Sequence, residues 1–207
     1  MSESLWARPA SDLLTSTASA SPTPGGGSIA AITGAFGVGL IRMAVAVTGD
    51  VALDERAARL AELQAEIAPA ADGDVHDFGE LMSAYRLPRG DDAEREARSH
   101  EIERASIAAT ERPLALVESL AAALTLSHEL EPLVKPGVVS DVLAGRDIVV
   151  GAARAAVRTA DINIDQLKRL GSAAAAELRT RRDQLVAAIE GRAERNPQRA
   201  TQGEEEL

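Results

Sequence analysis

The chain has 207 residues and a formal net charge of −10, with 45% of its residues apolar and 2% aromatic. That length and apolar content support one domain with a sizeable core, and so few aromatic residues argue against a sandwich or barrel of strands. The acidic balance argues against a broad nucleic-acid-binding face. The absence of cysteine excludes disulfides, thiolate metal sites and cysteine nucleophiles, and His76, His100 and His128 form no ligand-spaced pair, so no metal is expected.

In chain order, the N-terminus Met1-Ser2-Glu3-Ser4-Leu5-Trp6 lacks the basic start and long apolar core of a secretory signal, and a cytoplasmic protein is expected. A short helix is predicted over Ser11 to Ser19. The run Ser21-Pro22-Thr23-Pro24-Gly25-Gly26-Gly27-Ser28 is a loop, because two prolines and three glycines do not belong in a helix interior. An apolar helix near 28–49 follows. Its length would allow a membrane span, but it contains Arg42 and stands alone, so a buried helix of a soluble protein is expected, with no membrane partner. Small residues at four-residue spacing (Gly27, Ala31, Ala35, Gly39, and Ala30, Gly34) allow close approach of another helix, in a core or at a dimer interface.

A helical period runs from about Leu53 to Tyr85, with Pro69 as a kink and Asp72-Gly73-Asp74 as a break. A turn at 87–92 precedes a helix from Asp92 to about Leu126, in which Pro113 should produce a bend. The loop Glu131–Gly137 leads to Ser140-Asp141, read as a cap for a helix from about Val142 to Ala160, and more helix continues to about Glu190. The fold class is all-α: a bundle of long antiparallel helices, expected to dimerise. Residues 1–192 form one helical domain, and 193–207 form an acidic tail expected to be disordered.

Three features go beyond a plain bundle. Glycines ahead of a helix let a ligand approach the backbone, and the first helical turn offers unpaired N–H groups and partial positive charge. Together they make a candidate anion pocket, or simply a turn for tight packing. The stripe Ile67, Ala71, Asp74, Phe78, Leu81, Tyr85 steps by 4, 3, 4, 3, 4, which places a carboxylate on a core-facing seam. Burial of that charge is costly and should raise its pKa, which suits a general acid or base, unless a salt bridge or a local helix break accounts for it. Asp72, His76 and Asp77 point elsewhere and are expected in solvent. Asn163, between Ala160 and Leu167, either stitches helices together or touches a polar ligand.

The loop Ser21–Ser28 followed by an Ala/Gly-rich helix resembles the signature of the formiminotetrahydrofolate cyclodeaminase and methenyltetrahydrofolate cyclohydrolase family. Asp74, Phe78 and Tyr85-Arg86-Leu87-Pro88-Arg89 resemble its second block, Ala109-Thr110-Glu111-Arg112-Pro113-Leu114 its third, and Val139-Ser140-Asp141 with Ile162-Asn163-Ile164 its last. The resemblance spans roughly residues 10 to 190. It implies an all-α homodimer with a folate site near the glycine loop. The substrate is a tetrahydrofolate derivative and no further cofactor is implied. Family members hydrolyse N5,N10-methenyltetrahydrofolate to 10-formyltetrahydrofolate or cyclise 5-formiminotetrahydrofolate with release of ammonia. On this resemblance Asp74 is the expected proton-handling group and Asp141 a second candidate. Pro24, Gly25, Gly26, Gly27, Ser28, Phe78, Tyr85, Arg89 and Asn163 would contact the substrate. Arg89 stands where the family usually has lysine, and an arginine cannot shuttle a proton at neutral pH. A short chain with no formiminotransferase domain favours the cyclohydrolase reaction. The alternative is a non-catalytic helical dimer that binds folate or another small anion.

Overall fold

The structure, a computed structural model, describes residues 3–193, and among them it contains seven α-helices and no strand. They are α1 (Ala10–Thr17), α2 (Gly26–Thr48), α3 (Asp54–Ile67), α4 (Ala70–Tyr85), α5 (Asp92–Leu130), α6 (Val139–Arg169) and α7 (Ala174–Ala193). All of the expected acidic tail except Ala193, which closes α7, lies outside the described residues.

α2 is the central element. Ala31, Val38, Ile41 and Ala44 on it are fully buried. Small residues let α6 run antiparallel along it in close contact. A Cβ on Gly37 would lie 2.9 Å from the Gly145 carbonyl oxygen, and one on Gly145 would lie 2.7 Å from the Gly37 carbonyl oxygen, so each glycine is the condition for the other's approach. The stripe of small residues therefore packs α2 inside its own chain. α2 is long and apolar enough to cross a membrane, yet 56% of its most apolar window is buried inside the bundle.

Several boundaries differ from the sequence reading, each for a local reason. The helical stretch over 53–85 is two helices that part at Pro69, the expected kink, and not at Asp72-Gly73-Asp74, the expected break. Proline has no N–H to donate but suits a helix start, and Gly73 N–H donates to the Pro69 carbonyl, carrying α4 through the aspartates. Pro113 does not interrupt α5. Ser140 and Asp141 lie in the first turn of α6 rather than at its cap, because a 3-10 turn at Pro136–Val138 starts the helix three residues early. α6 ends at Arg169, and Gly171 at φ 72° makes the left-handed turn into α7.

The N-terminal segment is strapped onto the bundle. Ser4 Oγ and Leu5 N–H both donate to Asp72, at 2.6 and 2.7 Å, and Trp6 Nε1 donates to the Ala68 carbonyl at 2.8 Å. Asp72, expected in solvent, is thus the anchor of that strap.

A candidate active site where α2 stops short

The antiparallel contacts place the site. Gly37 of α2 lies against Gly145 and Val149 of α6, Gly34 against Ala152, and Gly26 against Thr159. On the other side Gln64 donates to the Ala35 carbonyl, and Asp74 meets Ser28. Both α4 and α6 therefore continue past the point where the Pro/Gly turn ends α2. The volume that another turn of α2 would fill is left open as a cleft of about 400 Å³.

Phe78, Leu81, Met82 and Tyr85 of α4 form one wall, and Thr159, Ile162, Asn163, Gln166 and Arg169 of α6 the other. Ala109 of α5 forms the floor. Pro22, Thr23, the glycines 25–27 and Asp74 close the inner end. A mostly apolar cleft with a few convergent polar groups has the character of a small-molecule site.

Asp74 is half-buried at that inner end. Its Oδ2 accepts from Ser28 N–H at 2.9 Å and from Ser28 Oγ at 2.7 Å. One of the N–H groups that a helix start leaves unpaired is thereby satisfied by a carboxylate from another helix. Gly27 makes this possible: a Cβ there would lie 2.7 Å from Asp74 Cγ and closer still to Oδ1. The carboxylate lies flush on the α2 backbone, oriented by fixed donors, with a cleft in front of it. Ser28 itself is fully buried and faces Asp74, so it positions the acid rather than touching a ligand. Ser28→Ala should keep the backbone hydrogen bond and lose the hydroxyl one, lowering turnover roughly three- to tenfold, the worth of one hydrogen bond. Steady-state kinetics read this directly.

A second pair supports the same stretch of α4. Asp77, expected in solvent, is 7% exposed and accepts from Arg112 Nε at 2.5 Å and Nη2 at 3.2 Å. The Arg112 guanidinium lies so close to Gly73 that a Cβ there would be 2.6 Å from Nε. Arg112 thus clamps α4 to α5 on either side of Asp74 in sequence. Arg112→Ala should cost about 2 kcal/mol, because it strands a buried carboxylate, with relief from a partner that is itself part-exposed; urea unfolding measures it.

The other expected site residues divide clearly. Gly25, Gly26, Gly27, Phe78 and Tyr85 line the cleft. Asn163 also lines it, and its Nδ2 donates to the Ala109 carbonyl at 2.8 Å, so it both stitches α5 to α6 and presents its amide to the cleft. Pro24 is buried and faces the N-terminal strap, near Leu5 and Asp72. Arg89 is exposed on the α4–α5 turn and lines no part of the cleft. Asp141 lies 18 residues before Thr159 on α6, which is about 27 Å along the helix, at the far end from Asp74. Thr159, Gln166 and Arg169 also line the cleft. With Asn163 they step by 4, 3 and 3, a polar stripe of helical period that is legible in the sequence.

The family model described as formiminotransferase-cyclodeaminase matches residues 9–184. A curated protein of Methylorubrum extorquens, methenyltetrahydrofolate cyclohydrolase, is 34% identical over 155 residues, covering 71% of this chain and 73% of that one. A crystal structure of formiminotetrahydrofolate cyclodeaminase from Thermotoga maritima superposes with a TM-score of 0.77 at 18% identity, over 92% of this chain and 94% of that one; at that identity it speaks for the fold. The match across α1 to α7, with the aspartate and glycine turn meeting at the head of the cleft, shows that the chain belongs to the formiminotransferase-cyclodeaminase family.

Proposed function

We propose that the protein is a folate one-carbon enzyme that hydrolyses N5,N10-methenyltetrahydrofolate to 10-formyltetrahydrofolate at the Asp74 cleft. The observation that carries this reading is the carboxylate held by two Ser28 donors at the closed end of an apolar cleft. The 34% identical relative, whose name specifies this reaction, favours it over ring closure of the formimino form.

The chemistry suits the geometry. The methenyl bridge is a cationic carbon between N5 and N10. Water adds to it to give a tetrahedral carbon, and opening toward N5 leaves the formyl group on N10. Asp74 is oriented to take one proton from the attacking water and pass it to the departing N5, while the remaining hydroxyl proton leaves to solvent as the formyl C=O forms, and its charge favours the cationic bridge. Phe78, one turn of α4 from Asp74, supplies flat apolar surface for the pterin, and the Asn163 amide offers hydrogen bonds to its edge. The same carboxylate could instead deliver a proton to a departing amine, so the two reactions are separated by assay. Loss of the near-ultraviolet absorbance of methenyltetrahydrofolate on addition of protein supports the hydrolase. No acceleration of that loss, together with ammonia release from 5-formiminotetrahydrofolate, would assign the cyclodeaminase reaction instead.

We also propose a homodimer formed through α2. Phe36, Met43 and Val47 are exposed, with Leu40 half-buried between them, and they step by 4, 3 and 4 along one face. Trp6 extends the patch, its ring centroid 6.0 Å from that of Phe36. A contiguous apolar stripe of this kind favours a partner surface. Phe36→Glu is expected to halve the mass seen by light scattering; an unchanged mass removes this interface.

A further inference from the structure

The cleft carries opposite charges at its two ends. Asp74 lies beside the glycine turn, and Arg169 is the one cationic side chain on the cleft wall among the described residues. Thr159 marks the inner level, since its hydroxyl lies 3.6 Å from where a Cβ on Gly26 would be. Arg169 follows ten residues later on the same helix, about 15 Å along its axis. The α4 wall beside this path, Phe78, Leu81 and Met82, is apolar.

Arg158, Lys168 and Arg169 on α6 have no carboxylate partner among the described residues, and of the three only Arg169 lines the cleft. Arg154, Arg179, Arg181 and Arg182 on α6 and α7 each pair with a carboxylate. Arg169 does not: its Nε and Nη2 donate to Gln166 Oε1 at 3.2 and 2.8 Å, and among the described residues it makes no ion pair. The guanidinium folds back over the preceding turn, as helix side chains tend to, so Gln166 holds it against the wall while its charge stays unneutralised. A chain of net charge −10 has no general attraction for an anion, so any affinity for one has to be local.

A tetrahydrofolate substrate has the matching order of charges: a cationic one-carbon bridge, a flat aminobenzoyl spacer and a glutamate with two carboxylates. We infer that Arg169, steered by Gln166, receives the glutamate carboxylates and so fixes which end of the substrate reaches Asp74. The assignment rests on the folate reading above. A guanidinium fork matches a carboxylate in two hydrogen bonds.

The test compares methenyltetrahydrofolate with methenyltetrahydropteroate, which lacks the glutamate, on the full-length protein. The wild type should prefer the folate by roughly tenfold or more in kcat/KM, almost all of it in KM. Arg169→Ala should lose that factor on the folate and nothing on the pteroate, so that variant and truncation are not additive. Arg169→Lys should recover part of it. An Arg169→Ala enzyme that keeps the wild-type preference, or that loses equally on both compounds, overturns the assignment alone. A wild type that turns over neither compound, and whose melting temperature neither compound raises, overturns the folate reading and the assignment with it.

Discussion

Asp74→Asn is expected to lower kcat by about 10²- to 10⁴-fold, the usual contribution of a positioned acid or base, while the fold survives. The two side chains are nearly isosteric, and an amide oxygen can accept the same two hydrogen bonds from Ser28, at 2.9 and 2.7 Å, that the carboxylate accepts. The link between α2 and α4 is therefore kept and only the capacity to take up a proton is removed. This separates the enzyme from a non-catalytic folate binder. A carboxylate that only tied Ser28 down would tolerate Asn with little loss, and the protein would gain some stability from the missing buried charge. Stopped-flow absorbance for the rate and a thermal melt for the fold, on the same preparation, distinguish the outcomes. Wild-type turnover in Asp74→Asn would remove the acid–base role.

Gly27→Ala should be nearly as damaging, although the added methyl takes part in no chemistry. Gly27 is helical, so by propensity alone alanine should stabilise α2 by about 1 kcal/mol. Its Cβ, however, would lie 2.7 Å from Asp74 Cγ, which forces the carboxylate off the α2 backbone and breaks its bonds to Ser28. Overpacking of this kind costs about 1–3 kcal/mol, and moving a reacting group by about 1 Å can cost 10²-fold in rate. The expected result is a folded protein, less stable by up to about 2 kcal/mol, with turnover down about 10²-fold. Gly79→Ala is the control, because a Cβ there has nothing within 4 Å; it should leave the rate unchanged and raise the stability by up to about 1 kcal/mol. Equal rates in Gly27→Ala and Gly79→Ala would contradict the flush seat assigned to Asp74.

The periodicity of the chain shows the helices, and the stripe through Ile67, Ala71 and Asp74 shows the acid on the core-facing side. The structure agrees on both, since Ile67 and Ala71 are fully buried and Asp74 lines the cleft. What linear spacing does not show is how far one helix extends past its neighbour. The cleft exists because α2 begins at Gly26 while α4 and α6 run on, and that offset is set by which small residues face each other, such as Gly37 and Gly145. The same limit placed Asp141 with Asp74: motif order suggested one site, but α6 is long enough to hold its first turn at the far end. Asp72 and Asp77 read as solvated because their partners, Ser4 and Leu5 in one case and Arg112 in the other, are distant in sequence. Burial of a charge is legible only with its partner, and the partner is a matter of tertiary packing.

The most direct measurement is a crystal structure of Asp74→Asn with methenyltetrahydrofolate bound, the slowed variant allowing the complex to persist. The pterin is expected between Phe78 and Asn163, with the one-carbon bridge within hydrogen-bonding reach, or one water, of the residue 74 side chain. A folate bound elsewhere on the bundle, with the cleft beyond the glycine turn empty, would contradict it.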